Sequence, residues 1–224
     1  MNKSVIIVAA GAGSRMNASV PKQFIELDGK PILMHTILRF HEYDPGITII
    51  LVLSENEIET WNNLLKKHSF TIKHTIVKGG EKRFHSVKNG LRAITEKCVV
   101  AIHDGVRPFC TLALIKRCFD EAEINSNAIP AIPIFETIRN VEGERNFIVN
   151  RDNFRIIQTP QCFDSYLLIK AYQNNRTENF TDDASVFESD GNKINIVEGE
   201  KNNIKITIQE DLIIASALNK KLFN

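Results

Sequence analysis

The chain has 224 residues, of which 43% are hydrophobic and 25% are charged, and both values are ordinary for a globular protein. That length corresponds to one large α/β domain or two small ones. The 28 Lys and Arg residues balance 27 acidic residues to a net charge of +1, which argues against a general binder of nucleic acid or of membrane surfaces.

The N-terminal part of the chain alternates strand-like and helix-like patterns. Lys3–Val8 is predicted as a buried strand, Pro31–Tyr43 as a helix and Ile47–Leu53 as an apolar, β-branched strand. The S-x-x-E spacing that begins at Ser54 is a capping box, and it predicts a helix that ends at about Lys67.

The same alternation continues along the middle of the chain. The predicted elements are strands at Thr71–Val77, Cys98–Ile102 and Ala128–Ile132, and helices at Arg83–Ile94 and from Thr111 to about Glu123. Strands separated by helices of ten or more residues imply βαβ crossovers. The predicted fold is therefore α/β, with a Rossmann-like, mostly parallel sheet flanked by helices.

Residues 135–158 depart from this alternation. β-Forming residues lie on both sides of the polar turn Glu142–Glu144, a pattern typical of a hairpin. A projecting hairpin exposes strand edges that usually need a cover, and a partner subunit is one such cover. We expect one domain over residues 1–224, with a dimerisation arm at about 135–158.

Strand and helix patterns resume after the arm. The predicted elements are a helix near Asp164–Gln173, a short helix after Thr181, strands near Ile194–Val197 and Ile204–Ile206, and a last helix. Thr207 and Glu210 have the spacing of a second capping box at the start of that last helix.

The cysteines and the apolar runs indicate a compartment. None of the four cysteines falls in a C-x-x-C pair, which argues against a zinc site. The chain has neither the pattern of a signal peptide nor an apolar run of ~18 residues. We expect a cytoplasmic protein with reduced thiols.

A parallel sheet binds its ligands outside the carboxyl ends of its strands. The loops Ala9–Phe24 and His103–Phe109 and the turn Gly79-Gly80 are all predicted at that edge. Glycines let successive backbone amides approach a phosphate closely, so the first loop is a candidate anion site.

Several interpretations compete for this glycine loop. A dinucleotide fingerprint requires a third glycine where Met16 stands, and a Walker loop requires a Gly-Lys-Ser/Thr sequence that is absent. A surface turn is the plain alternative for Gly11-x-Gly13 alone. A nucleoside triphosphate loop that uses the cations Arg15 and Lys22 fits the residues best.

Seven motifs extend this interpretation over essentially the whole chain. In order they are AAGAGSRM…PKQF, GGEKRFHSV, HDGVRPF, ETIRNV, NRDNFRIIQTPQCF, TDDASVFE and VEGEKNNIKIT. This series resembles the sugar- and alditol-phosphate nucleotidyltransferases, and more narrowly the 2-C-methyl-D-erythritol 4-phosphate cytidylyltransferases of the non-mevalonate isoprenoid pathway. The resemblance implies Mg²⁺-dependent transfer of CMP from CTP to methylerythritol 4-phosphate, with release of pyrophosphate. It also implies a homodimer whose hairpin arm reaches into the neighbour's site.

The resemblance further implies roles for single residues. The candidate catalytic cations are Arg15, Lys22, Arg151 and Lys205. The candidate nucleotide-binding residues are Ala10, Gly11, Ala12, Gly13, Ser14, Gly80 and Ser86. The candidate acceptor-binding residues are Asp104, Arg107, Thr137, Arg151 and Lys205. Asp104 is also the candidate Mg²⁺ ligand, because Mg²⁺ usually takes one or two carboxylates beside phosphate oxygens and waters.

Each of these residues also has a plain structural interpretation. A loop lysine or arginine is usually solvated surface, Asp104 suits a turn, Arg107 suits a loop brace, and Arg151 alone is a charge at a hairpin edge. The segment before Lys205 reads Asn202-Asn203-Ile204 where many relatives have Asp-Asn-Ile, and this difference bears on the acceptor site.

The implied reaction needs no protein nucleophile. A phosphate monoester is largely dianionic at neutral pH and can attack the α-phosphorus of CTP itself. The obstacle is repulsion between negative charges, so catalysis is expected to be positioning plus charge stabilisation. Accordingly, no Ser-His-Asp or Cys-His set stands out.

Three rival functions stay open on the residues alone. A ribitol-5-phosphate cytidylyltransferase shares the glycine loop, a similar HD…VRPF motif and the Thr-Pro-Gln sequence. A nucleotide-binding dehydrogenase is disfavoured by the missing third glycine. A CTP-sensing module without activity is disfavoured by the presence of the acceptor cations.

Overall fold

Strands and helices alternate along the part of the chain that the computed structural model describes, residues 1–11, 20–175 and 177–223. The strands are β1 Lys3–Val8, β2 Glu26–Leu27, β3 Lys30–Pro31, β4 Thr48–Leu53, β5 Thr75–Lys78, β6 Val99–Asp104, β7 Asn127–Pro133, β8 Arg139–Glu142, β9 Arg145–Ile148, β10 Arg155–Ile157, β11 Gln161–Asp164 and β12 Ile196–Glu198. The helices are α1 Ile32–Tyr43, α2 Ile58–Lys67, α3 Arg83–Leu91, α4 Leu112–Asn125, α5 Ser165–Asn174, α6 Asp183–Ser189 and α7 Gln209–Phe223.

One sheet organises these elements in the order β10-β7-β11-β6-β1-β4-β5, with β12 also paired to β7. Strand β1 runs parallel to β4 and β6, and β4 runs parallel to β5. The predicted α/β fold with a mostly parallel sheet is confirmed. Strand β11 lies between β6 and β7 and runs antiparallel to both. The residue pattern of β11 does not predict this direction, because the direction depends on the strands with which it pairs.

Two hydrophobic layers cover the sheet, because side chains alternate between its faces along each central strand. Val5 and Ile7 of β1 face the layer formed by α1, α2 and α4, whereas Ile6 faces the layer formed by α3, α5 and α6. A third cluster joins α7 to the β2–β3 hairpin through side chains such as Leu27 and Ala215.

The predicted helix caps meet different outcomes. The Thr111 hydroxyl accepts a hydrogen bond from the Leu114 amide at 3.1 Å and caps α4 as predicted. The capping box at Ser54 is wrong: a 3-10 turn precedes α2, and the Ser54 side chain makes no capping bond. The Glu57 carboxylate instead accepts a hydrogen bond from the distant Gln23.

The C-terminal predictions need a similar correction. Ile204–Ile206 forms no strand; its backbone reaches the fold through the bond from the Ile206 amide to the Val106 carbonyl at 3.0 Å. At the start of α7 the carboxylate that accepts the Thr207 amide, at 2.7 Å, belongs to Asp211 and not to the predicted Glu210.

The arm is confirmed as a hairpin of β8 and β9, and its turn uses Gly143 at a φ of +61°. Its large apolar side chains Val141, Phe147 and Ile148 are exposed. The four cysteines are all buried and free. No helix in the described ranges has the length and apolar character needed to cross a bilayer.

Candidate functional site

A cleft of about 280 Å³ lies at the carboxyl ends of β1, β5 and β6, where the sequence predicts a ligand site. The predicted site residues that line it are Ala10, Gly11, Lys22, Gly80, Ser86, Asp104 and Lys205. These residues come from four separated segments, so the fold brings together what the chain holds far apart.

The other predicted site residues have different outcomes. Ala12, Gly13, Ser14 and Arg15 fall outside the described residues. Thr137 and Arg151 lie within the arm segment 135–158 and are exposed, and neither is among the residues that line this cleft. The Arg151 guanidinium donates to the Phe135 carbonyl.

Asp104 ends β6 and gathers positive charge at the cleft. The Lys205 Nζ lies 3.0 Å and the Arg107 Nε 3.2 Å from the same carboxylate oxygen, Oδ2. Burial alone would raise the pKa of the Asp104 carboxyl, but Lys205, Arg83 and Arg107 together hold that pKa well below its ordinary value. The carboxylate is therefore charged at neutral pH.

Arg107 braces the loop that follows β6. Its Nη1 donates to the Asn203 carbonyl at 2.8 Å, and the buried Asn203 amide donates to the Thr159 carbonyl at 2.8 Å. These bonds join the segment that carries Lys205 to the sheet. Asn202 is exposed.

His103 is a buried structural residue. Its Nε2 lies 3.1 Å from the Arg107 carbonyl and its Nδ1 lies 3.0 Å from the Thr159 hydroxyl, which also accepts the Asp104 amide at 3.1 Å. Burial lowers the pKa of His103 to about 4, so the ring is neutral near pH 7. With Nε2 as donor to the carbonyl, Nδ1 accepts from Thr159 and the position of Asp104 is fixed.

The side of the cleft where the sequence predicts nucleotide binding depends on close backbone approach. A Cβ at Gly79 would lie 2.5 Å from the Ala10 Cβ, so the turn after β5 and the loop after β1 can meet only without that side chain. The Gly80 amide donates to the Ser86 hydroxyl at 3.0 Å, and that hydroxyl donates to the Lys82 carbonyl at 3.2 Å.

If Gly80 binds CTP as the sequence resemblance implies, replacing it by alanine is expected to raise the KM for CTP about tenfold with a smaller change in kcat. The new Cβ would lie 2.3 Å from the His85 Cβ and would displace the turn. Steady-state kinetics with varied CTP tests this. Gly46→Ala is the control, since its Cβ would meet only Asp44 of the same loop, at 3.3 Å. Equal KM values for the two variants would contradict the expectation.

Lys22 opens a 3-10 turn whose next residue anchors it. Gln23 is buried, and its Nε2 donates to the Ala9 carbonyl at 2.8 Å and to the Glu57 carboxylate at 2.9 Å. Sequence analysis did not identify Gln23 as this anchor, although it stands inside the PKQF motif. It fixes the backbone from which Lys22 reaches the cleft.

Sequence analysis also missed Arg83, although it stands three residues after Gly80 in the GGEKRFHSV motif. Its side chain lines the cleft and pairs with the carboxylate of Asp183. The cleft lining thus contains Lys22, Lys82, Arg83 and Lys205 against Glu81 and Asp104, an excess of cations that suits a polyphosphate.

Asp104 is the predicted Mg²⁺ ligand of this site. No cluster of three or more His, Cys, Asp or Glu side chains that could hold a metal occurs in the described ranges. Both described ion pairs of Asp104 use Oδ2, and Oδ1 is the oxygen that a cation could share. One carboxylate oxygen fits Mg²⁺, which completes its shell with phosphate oxygens and water.

The chain matches a family model. Residues 4–221 match the model described as 2-C-methyl-D-erythritol 4-phosphate cytidylyltransferase. A curated protein of that name from Bacteroides fragilis is 48% identical over 218 residues, which cover 97% of this chain and 100% of the relative. Another of that name from Azobacteroides pseudotrichonymphae is 50% identical over 96% of this chain and 98% of its own length.

Solved structures agree with the family match. The 4-diphosphocytidyl-2C-methyl-D-erythritol synthase of Anaerococcus prevotii superposes with a TM-score of 0.84 at 32% identity, over 98% of this chain and 96% of that one. The 2-C-methyl-D-erythritol 4-phosphate cytidylyltransferase of Thermus thermophilus superposes with a TM-score of 0.82 at 30% identity, over 98% of this chain and 100% of that one.

Proposed function

The chain belongs to the 2-C-methyl-D-erythritol 4-phosphate cytidylyltransferase family, and we propose that its cleft binds CTP beside the acceptor phosphate on the residues described above. It is a CTP-dependent nucleotidyltransferase that forms diphosphocytidyl-methylerythritol and pyrophosphate. The observation that carries the site assignment is the convergence of Lys22, Gly80, Ser86, Asp104 and Lys205 on one cleft. The family match favours methylerythritol 4-phosphate over ribitol 5-phosphate as acceptor.

The chemical step is a substitution at the α-phosphorus of CTP. An oxygen of the acceptor phosphate forms a new bond to that phosphorus, and the bond from it to the oxygen bridging the β-phosphorus breaks. Pyrophosphate leaves with the electron pair, so no protein group changes its covalent state. Lys22 and Arg15 stabilise the charge on the triphosphate, whereas Lys205 and Arg151 hold the acceptor phosphate.

Asp104 has two roles in this proposal. Its Oδ2 orients Lys205 at 3.0 Å, and its Oδ1 would hold Mg²⁺ that arrives with the nucleotide. Mg²⁺ held there would supply further neutralisation of the phosphate charge. Arg107 holds the Asp104 carboxylate through Nε while its Nη1 donates to the Asn203 carbonyl, and from that position it would contact the acceptor phosphate.

The arm completes the proposed site across a homodimer. Val141, Phe147 and Ile148 expose apolar surface that a second subunit would bury. Thr137 and Arg151, exposed in their own chain, would contact the acceptor in the partner's cleft. Since one sheet extends from β1 to β12, residues 1–224 are taken as one nucleotidyltransferase domain. The four free thiols suit a reducing cytoplasm.

A pyrophosphate-release assay tests the acceptor and the nucleotide together. With Mg²⁺, the protein is expected to release pyrophosphate from CTP and methylerythritol 4-phosphate at least about tenfold faster than with ATP, GTP, UTP or ribitol 5-phosphate, since each wrong group leaves polar site atoms unpaired. EDTA is expected to abolish the release. Faster turnover of ribitol 5-phosphate would overturn the acceptor, and full activity in EDTA would overturn Mg²⁺.

A further inference from the structure

Asp183, the first residue of α6, is a charged side chain without a role in the proposed reaction. It is fully buried, and each carboxylate oxygen has a donor. The Arg83 Nη2 pairs with Oδ2, and the Tyr172 hydroxyl donates to Oδ1 at 2.7 Å. Burial raises the pKa of Tyr172, which therefore remains a hydroxyl donor. A buried carboxylate needs such partners, because an unpaired one is strongly unfavourable.

Hydrogen bonds also fix the backbone at Asp183. The buried Gln161 of β11 accepts the amides of Asp183 at 3.1 Å and Ala184 at 3.0 Å. Its Nε2 donates to the Asp182 carboxylate at 2.9 Å. The start of α6 is thereby fixed to the sheet, so the Asp183 carboxylate is a stationary acceptor.

Arg83 connects this buried group to the cleft. It is the first residue of α3, its side chain is 26% exposed, and it lines the same cleft as Lys22 and Lys205. A guanidinium has five N–H donors in a fixed plane, and the described pair with Asp183 uses Nη2. The remaining donors suit phosphate oxygens, and the orientation of the guanidinium plane decides whether they point at them.

We propose that Asp183 is a positioning residue for the cytidylyltransferase reaction, which orients the Arg83 guanidinium toward the triphosphate of CTP. The proposal rests on the proposed function for its substrate. A purely structural role is the alternative, since Phe84 of α3 also stacks on Tyr172 with ring centroids 4.7 Å apart. The two roles make different predictions. Only a positioning role makes the affinity for CTP depend on Asp183 through Arg83.

Asp183→Asn in the full chain tests this, because asparagine keeps the shape and removes the charge. The CTP affinity of this variant, measured by calorimetry, and its kcat/KM for CTP are each expected to fall by about tenfold. This is the usual scale for the loss of a charge-assisted hydrogen bond. Asp164→Ala is the matched control. It removes the cap on the Tyr166 and Leu167 amides at the start of α5 and makes no described contact with Arg83, so Tm is expected to fall by about 2–4 °C while CTP binding stays unchanged.

The coupling to Arg83 is measured in a second background. Arg83→Met is expected to lose about tenfold in CTP affinity by itself, and adding Asp183→Asn to it should change affinity by less than about twofold. A folded Asp183→Asn protein with wild-type CTP affinity overturns the proposal. The proposal also fails if Asp183→Asn lowers CTP affinity by the same factor in the Arg83→Met protein as in the wild-type protein. Should Asp183→Asn not fold, wild-type CTP binding by Arg83→Met overturns it.

The same measurements separate this proposal from the function on which it rests. CTP affinity is measured without acceptor. A wild-type protein that binds CTP but releases no pyrophosphate with methylerythritol 4-phosphate would refute the proposed reaction. The comparison of the variants by CTP affinity would still decide the role of Asp183.

Discussion

Lys22→Ala is expected to fold normally and to release pyrophosphate about 10²–10³ times more slowly than the wild-type protein, mainly through kcat. Lys22 lines the cleft from a turn that the bonds of Gln23 to Ala9 and Glu57 hold in place. These bonds do not involve the Lys22 side chain, so the turn should survive its removal. Charge that stabilises the departing pyrophosphate is lost, which affects the transition state more than the bound substrate.

Two further proteins make this result specific. Lys116→Ala removes a surface lysine of α4 whose partner is Asp120, and it should keep wild-type kinetics. Lys22→Arg keeps the charge at a different geometry and should recover part of the loss. Steady-state kinetics and a thermal melt on each protein provide the comparison. A folded Lys22→Ala protein with near-normal kcat would remove Lys22 from the catalytic group.

The location of the site could be predicted because it depends on short-range patterns. Strand β1 ends before Gly11, β5 ends before Gly79, and β6 ends at Asp104, and all three are recognisable from runs of apolar residues. In a parallel sheet those ends meet at one edge, so the candidate residues were expected to meet there. The structure brings the described candidates that follow these strands, among them Gly11, Gly80 and Asp104, to one cleft, as this reasoning requires.

The supporting contacts could not be predicted in the same way, because they join residues far apart in the chain. Arg83 and Asp183 are separated by 100 positions, and the Thr159 hydroxyl meets His103 across 56. Local rules also failed where a distant partner competed. Glu57 has the spacing of a capping residue for Ser54, but its carboxylate is used by Gln23, 34 positions earlier.

The arm raises the question of which chain completes which cleft. Lys22 and Lys205 line the cleft of their own chain, while Arg151 is exposed and its guanidinium meets the Phe135 carbonyl. If Arg151 acts on the acceptor, the partner's cleft is the place that a projecting arm can reach. In a two-fold dimer each site would then combine Lys22 from one subunit with Arg151 from the other.

This arrangement predicts that two inactive proteins restore activity when mixed. Lys22→Ala and Arg151→Ala should each be nearly inactive as homodimers. After dissociation and random reassociation half of the dimers are mixed, and one of the two sites in each mixed dimer is intact, so about a quarter of wild-type activity should return. Pyrophosphate release measures the gain, and differently tagged subunits verify that mixed dimers have formed.

Lys22→Ala mixed with Lys205→Ala is the matched control, since both side chains line the cleft of one chain and every site in a mixed dimer stays defective. Restoration by the Arg151 pair but not by the Lys205 pair would require that the arm serves the neighbouring cleft. Verified mixed dimers without restored activity would instead confine Arg151 to its own subunit. Arg151 would then be a charged residue at the edge of the hairpin without a role in the neighbouring cleft. The exposed apolar residues of the arm would serve only to hold the two subunits together.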